Sequence, residues 1–245
     1  MKYDFGIIAI GDEITEGDIV NTNSSVFAKH LTEGGFNIGF HISCNDNIND
    51  ILASILFLKD SHLNIITIGG LGPTEDDLTT QAIAVFFNKE LVLDQNSWIK
   101  LEQKMIEKYG RVTLGAKKQA TFPQGFKIIV NKNGTANGFK LKFEKDRHVY
   151  AFPGPPKECI PMLEDLNLKK QAHHKKIIRK KWYIYEIGES FLAEKLEIIK
   201  QKYPFVSFKY RIADNHIELK YFYPYECPHS NNIIQDIEVL LKQYL

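Results

Sequence analysis

Apolar positions along the chain change period several times, and each change marks an element. Tyr3–Ile10, Leu63–Ile68 and Val149–Phe152 are short apolar runs closed by Gly or Pro, and they read as buried strands; Asn37–Ser43 reads as a further strand. Between them the spacing shifts to three and four. Val26, Phe27, His30 and Leu31 follow the caps Asn21–Asn23, and Ile48, Ile51, Leu52, Ile55 and Leu56 follow Asn45-Asp46-Asn47. These patterns predict two amphipathic helices, the first ended by Gly34-Gly35. Alternation of this kind needs crossover connections, so we expect a mostly parallel sheet covered on both faces, a three-layer α/β/α sandwich.

Beyond Phe87 the pattern thins. A strand at Leu91–Leu93, a helix over Ser97–Tyr109, and a hairpin of Phe126–Val130 with Phe139–Phe143 around the polar turn Asn131–Gly138 are expected. A helix containing Met162 and Leu166 follows Pro153-Gly154-Pro155-Pro156. Lys169–Lys181 then carries seven Lys or Arg, two His and no acid. We place a domain boundary there, with a first domain over residues 1–168 and a second over 169–245. The second reads as a small α+β module of βαββα order. Its strands alternate Val206, Phe208, Tyr210, Ile212 and Ile217, Leu219, Tyr221, Tyr223, and its helices bury Leu192, Leu196, Ile199 and then Ile233, Ile237, Leu240, Leu241.

Composition narrows the class without naming a function. A chain of 245 residues with 44% hydrophobic and 25% charged residues can bury a substantial core, and a net charge of +1 points to no partner. The opening Met1-Lys2-Tyr3-Asp4 lacks signal-peptide layout and no apolar run reaches membrane-spanning length, so cytoplasmic residence without a membrane partner is expected. Cys44, Cys159 and Cys227 are far apart and without CxxC spacing, which favours reduced packing thiols over disulfides or zinc.

The candidate chemistry lies at Gly69-Gly70-Leu71-Gly72-Pro73-Thr74-Glu75-Asp76-Asp77-Leu78-Thr79. Glycines at the carboxyl end of a strand let a ligand approach the backbone, and the helix start behind them offers NH groups to a phosphate. Three carboxylates beside a phosphate repel it unless a cation lies between. A divalent ion resolves the conflict. Each acid taken alone has a plainer reading as a helix cap. Asp12-Glu13 and Asp46 fall at the ends of neighbouring strands, on the edge where parallel sheets bind ligands. The basic run has neither interleaved aromatics nor a GxxG clamp, so it reads as a solvated linker and nucleic acid is not an expected partner.

Taken together, Gly11-Asp12-Glu13, Asn21-Thr22-Asn23, Asp46, Gly69–Asp77, Lys118-Gln119-Ala120, Gly134-Thr135-Ala136 and Pro153-Gly154-Pro155-Pro156 with Glu158 resemble the competence/damage-inducible CinA family. Its first domain is similar to the MoaB/Mog-type domain that binds molybdopterin, and its second to a KH-like domain. The resemblance implies a metal-dependent pyrophosphatase acting on ADP-ribose or a related dinucleotide. The alternative it leaves is a non-catalytic module that binds molybdopterin or a nucleotide in molybdenum-cofactor synthesis. Asp46 and Asp77 are expected to hold Mg, Mn or Co, with Glu13 or Asp76 positioning water. Gly69, Gly70, Gly72 and Thr74 are expected to cradle one phosphate and Lys118 to neutralise another, with Thr79, Gly134, Thr135, Pro153, Gly154 and Glu158 also around the ligand. The ligand partner is a phosphorylated nucleotide or pterin, with or without self-association into a homo-oligomer. The chain stops at Leu245, before the carboxyl-terminal amidase domain of many relatives, so that activity is not expected. Asn137 and Ala116 depart from the family pattern, where proline and asparagine are usual.

Overall fold

The apolar run Tyr3–Ile10 is strand β1 in the computed structural model, which describes residues 3–168, 177–224 and 230–245. It lies between β2 (Ile38–Cys44) and β3 (His62–Ile68) and is parallel to both. A strand with neighbours on both sides and helices above and below has no wet face, which is why β1 is buried from Asp4 to Ile10. On the far side of β3 lies β8 (Arg147–Phe152), also parallel. Then β7 (Gly138–Glu144) and β6 (Phe126–Ile129) join antiparallel, completing a six-stranded sheet of order β2-β1-β3-β8-β7-β6. Two parallel crossovers thus give way to a hairpin at one edge. A separate ribbon pairs β4 (Leu91–Leu93) with β5 (Thr121–Pro123).

Side-chain alternation sorts the strands' residues into two cores. Ile8, Ile10, Ile65 and Phe139 pack with Ile51, Ile55 and Leu58 of α3 (Ile48–Lys59) and with Ala82 and Ile83 of α4 (Thr79–Phe86). Phe5, Ile7, Ile66 and Phe152 pack instead with Phe27 and Leu31 of α2 (Thr22–Glu33) and with Cys159, Met162 and Leu163 of α6 (Pro156–Asp165). This is the expected three-layer α/β/α arrangement. Two details of periodicity differ: Leu56 is 61% exposed while Leu58 takes the core position, and Val26 is exposed at the side of α2. Burial pushes the Cys44 thiol up to about 11 and the Cys159 thiol up to about 12, so both are neutral and free.

Local capping starts the helices where their sequences say. The Asn21 side chain accepts from Ser24 NH at 3.1 Å, and that of Asn47 from Asn49 NH at 2.8 Å. Asp12–Thr15 forms one helical turn, α1, and α5 spans Gln95–Tyr109.

The chain divides into two compact units, Met1–Lys169 and Lys170–Leu245. In the second, β9 (Ile177–Ile184), β10 (Ser207–Ile212) and β11 (Ile217–Pro224) form an antiparallel sheet of order β10-β11-β9. α7 (Glu189–Lys202) and α8 (Ser230–Leu241) bury Leu192, Leu196, Ile233 and Ile237 against Trp182, Leu219 and Tyr221 of that sheet. Cys227 and most of the basic run lie outside the described residues. No described helix is long and apolar enough to cross a membrane.

Candidate functional site

Because β1, β2, β3 and β8 are parallel, the loops after them share one edge of the sheet, and that edge carries Asp12-Glu13, Asp46, the Gly69–Asp77 loop and Pro153–Pro156. Gly69 has φ +114, and a Cβ there would stand 2.1 Å from the Ile10 carbonyl oxygen. Only glycine fits that turn. A Cβ on Gly154 would stand 3.5 Å from Gly69 Cα, so the loops after β3 and β8 run side by side. The Asn23 side-chain NH₂ donates to the Gly154 carbonyl and ties α2 to the same place.

Four carboxylates meet at this edge. The NH of Asp12 donates to Asp46 Oδ2 at 3.1 Å, and the NH of Asp46 donates to Asp12 Oδ1 at 3.0 Å. Burial first, then the neighbouring charges of Asp12, Glu13 and Asp76, hold the Asp46 carboxyl above the usual carboxylate range, against the lowering effect of the Asp12 NH. The Glu13 carboxylate folds over Gly11, where a Cβ would stand 2.7 Å from its Oε1. Asp76 behaves oppositely. The Thr74 side chain, its own backbone NH and Lys118 hold it below the usual range. The Thr74 hydroxyl has one proton, however, and its 2.5 Å contact with Asp77 Oδ2 assigns that proton to Asp77.

Asp77 is engaged within its own loop. Its Oδ1 accepts from Gly72 NH at 2.7 Å and its Oδ2 from Thr74 NH at 2.8 Å as well as from the Thr74 hydroxyl. Both oxygens hold the turn closed. The acids whose charges bear on Asp46 are Asp12, Glu13 and Asp76, while Asp77 is turned into its own loop. Among the described residues no group of three or more His, Cys, Asp and Glu is arranged to hold an ion alone. Magnesium-like ions are commonly held by one or two carboxylates together with ligand phosphates and water, so the donor set fits an ion that arrives with its ligand.

The backbone NH groups of the glycine loop are unequally engaged. The NH groups of Gly72 and Thr74 go to Asp77, and that of Gly69 goes to the Phe152 carbonyl at 3.0 Å. The NH groups of Gly70 and Leu71 make no hydrogen bond among the described residues. Thr79 is fully buried, with its hydroxyl on the Gly69 carbonyl at 2.8 Å and its NH on the Gly70 carbonyl at 3.2 Å. It closes the loop, and Pro153 is buried too. Lys118 Nζ donates to the Thr74 carbonyl at 2.5 Å, which places its charge beside the loop. It sits on a 3-10 turn, Leu114–Ala120, whose Gly115 approaches so closely that a Cβ would stand 2.2 Å from the Pro73 carbonyl oxygen.

Gly134, Thr135 and Glu158 gather at a second cluster built on Asn131, which is 4% exposed. Asn131 Nδ2 donates to the Ala136 carbonyl at 2.9 Å and to Glu158 Oε2 at 2.7 Å, and its Oδ1 accepts from Asn133 NH at 3.0 Å. Glu158 thereby lies against Gly134, where a Cβ would overlap its Oε2 at 1.9 Å. A pocket of about 440 Å³ opens here, lined among others by Lys100, Lys104, Gln119, Asn131, Gly134 and Thr135. Another of about 340 Å³, lined by Ile10, Glu13, Val20, Asn23, Ile68 and Gly154 among others, adjoins the carboxylates. Asp12, Asn131 and Gly115 are the residues that sequence reasoning passed over as individual site members. Asp12 shares a motif with Glu13, whereas nothing in the composition of an Asn-rich turn singles out Asn131.

Residues 6–173 match the family described as "Probable molybdopterin binding domain". A CinA-like protein of Dictyoglomus thermophilum is 38% identical over 198 residues, which are 78% of this chain and 47% of that protein. The chain thus spans about half the length of that relative. The crystal structure of CinA, of unknown function, from Thermoplasma acidophilum has a TM-score of 0.62 at 27% identity over 68% of this chain and 96% of its own.

Proposed function

Since the chain belongs to the probable molybdopterin-binding-domain family and has CinA-like relatives, we propose that its first unit binds a phosphorylated nucleotide or pterin with a divalent ion, Mg, Mn or Co. We further propose that it hydrolyses the pyrophosphate of ADP-ribose or a related dinucleotide. The observation that carries this reading is the gathering of Asp46 with Asp12, Glu13 and Asp76: Asp12 and Asp46 exchange backbone hydrogen bonds, and burial first, then the three neighbouring charges, holds the Asp46 carboxyl above the usual range. Like charges gathered at the carboxyl edge of a parallel sheet are unfavourable unless a cation joins them. The ion supplies neutralisation of phosphoryl oxygens and makes water more acidic.

The chain's own groups supply the rest. Asp46 with Asp12 or Asp76 holds the ion, and the NH groups of Gly70 and Leu71 are available to a phosphate. Lys118, already beside Thr74, balances a second phosphate's charge. Glu13 takes the proton of the attacking water as its oxygen bonds to phosphorus and the bridging P–O bond breaks, leaving AMP and ribose 5-phosphate from ADP-ribose. Thr135 and Glu158 bind the sugar side from the Asn131 cluster.

A binding module that holds the ligand without cleaving it is favoured by one observation: Asp77, a carboxylate conspicuous in the sequence, is taken up by its own loop. Incubation of the protein with ADP-ribose, FAD or NAD and each metal, followed by chromatography for AMP, separates the two readings. AMP that depends on the metal supports hydrolysis; tight binding with no AMP supports the module.

A further inference from the structure

Of the three residues Lys118-Gln119-Ala120, only Lys118 reaches the glycine loop, where its Nζ meets the Thr74 carbonyl. All three stand on the 3-10 turn Leu114–Ala120, whose successive side chains point about 120° apart. Ala120 packs with Leu101, Met105 and Ala116. Gln119 takes the remaining direction and lines the cavity of about 440 Å³ bounded by α5 and by the turn that joins β6 to β7.

Gln119 is 7% exposed, yet its amide makes no hydrogen bond among the described residues. Ser97, 5% exposed on the first turn of α5, lines the same cavity, and its hydroxyl makes none there either. The polar atoms of both remain open to the cavity. Polar groups withdrawn from bulk water and left unbonded are costly, so they mark a place that something else completes. The volume exceeds what water needs and falls within the roughly 300–1,000 Å³ of small-ligand sites. Leu101, Ile128 and Val130 give the cavity an apolar wall, and its charged lining is two lysines against one acid, Glu107. Lys100 has no ion pair among the described residues. Lys104 Nζ donates to the Gly134 carbonyl at 2.9 Å and keeps its other protons for a ligand.

A buried amide, an apolar wall and exposed cations suit a flat heterocycle attached to an anionic group. The amide offers one donor and one acceptor side by side, and the adenine edge answers with an amino group next to a ring nitrogen. Guanine and the pterin ring carry an NH next to an amino group. Two donors side by side are met best by a carboxylate, which accepts twice. We propose that this cavity holds the adenine base of the ligand, with Gln119 paired to its amino group and adjoining ring nitrogen and with Leu101, Ile128 and Val130 against the ring. Lys100 and Lys104 raise the local positive potential and so favour a nucleotide over an uncharged nucleoside. Thr135 lines the same cavity, which connects the base to the sugar. The assignment rests on the proposed nucleotide ligand and adds which base that ligand carries.

The test is calorimetric titration of the metal-free full chain with AMP, GMP and purine riboside 5′-phosphate, before and after Gln119→Glu. Wild type should bind AMP roughly tenfold more tightly than GMP, and more tightly by a similar factor than the purine nucleotide that lacks the amino group. Glutamate has nearly the shape of glutamine and only accepts, so the AMP:GMP affinity ratio should fall roughly tenfold in the variant. Repulsion between the new charge and the phosphate acts on both nucleotides and cancels in that ratio. Circular dichroism checks that the variant is folded, and the comparison of the three nucleotides on wild type needs no variant. No binding of AMP at millimolar concentration, equal binding of AMP and GMP, or a ratio unmoved in folded Gln119→Glu would each overturn the assignment. If the ratio moves as stated while ADP-ribose stays uncleaved with every metal, the base site stands and hydrolysis fails; cleavage with an unmoved ratio does the reverse.

Discussion

Asp12 and Asp46 cap each other: each backbone NH donates to the other's carboxylate, at 3.1 and 3.0 Å, so the loops after β1 and β2 are locked together by two acids. Asn at position 46 keeps one acceptor oxygen for the Asp12 NH and removes a charge that Asp12, Glu13 and Asp76 oppose. A carboxyl whose folded pKa is raised gains stability as pH falls through that raised value and loses it as pH rises. Asp46→Asn should therefore melt at or above the wild-type temperature at pH 7, with the difference closing toward pH 3.8, the ordinary value. Its affinity for Mg²⁺ or Mn²⁺ by calorimetry should fall at least tenfold. A melting temperature several degrees lower would show that the acid serves the fold instead.

Asp77 predicts the opposite order of effects. Asp77→Asn places an NH₂ where an oxygen accepts from a backbone NH, and loss of a charged acceptor of this kind costs about 1–3 kcal/mol. Urea denaturation should find this variant less stable than Asp46→Asn. Hydrogen exchange at Gly72 and Thr74 should speed up, while ion affinity is kept once the loop is held by ligand. Unchanged exchange at both amides would remove the loop-closing role.

Gly134 is a steric prediction. An alanine there puts Cβ onto Glu158 Oε2, so Gly134→Ala should push Glu158 off Asn131 and raise exchange across residues 131–137. Shortening the acid makes room: Gly134→Ala/Glu158→Ala should show slower exchange there than Gly134→Ala alone. Additive effects of the two substitutions would contradict the contact.

Glu218 sets the acid limit of the second unit. Hydrogen bonds from Arg211 and Lys181 lower its carboxyl to about 2 from an ordinary 4.5. A depressed folded pKa contributes stability that is fully present above the ordinary value and lost as pH falls from 4.5 toward 2. Glu218→Gln should thus lower the melting temperature of this unit at pH 7 and make no difference near pH 2. A constant difference across that range would mean that packing, not charge, is what Glu218 provides.

What was legible in the chain follows the range of the interactions responsible. Ile7, Ile8, Ile65 and Ile66 mark central strands because two-sided burial demands apolar residues at every position, and Asn21 and Asn47 mark helix starts because a cap bonds only two or three residues away. The antiparallel hairpin of β6 and β7 was readable from its polar turn, but its attachment to β8 at the sheet's edge was not, since pairing partners leave no local trace. The same limit explains the site. Asp76 and Asp77 are neighbours of equal chemistry, and only the loop's closure on Gly72 and Thr74 separates the one near Asp46 from the one taken inward.

In the function proposed above, Asp46 and its acidic neighbours bind a phosphorylated ligand through a divalent ion. The most direct measurement is calorimetric titration of ADP-ribose into wild type and Asp46→Asn, with and without Mn²⁺, each mixture then chromatographed for AMP. Mn²⁺ should strengthen binding at least tenfold in wild type, Asp46→Asn should abolish the gain, and AMP should form only in wild type with metal. Equal affinity with and without Mn²⁺, or AMP released as fast by Asp46→Asn, would contradict it.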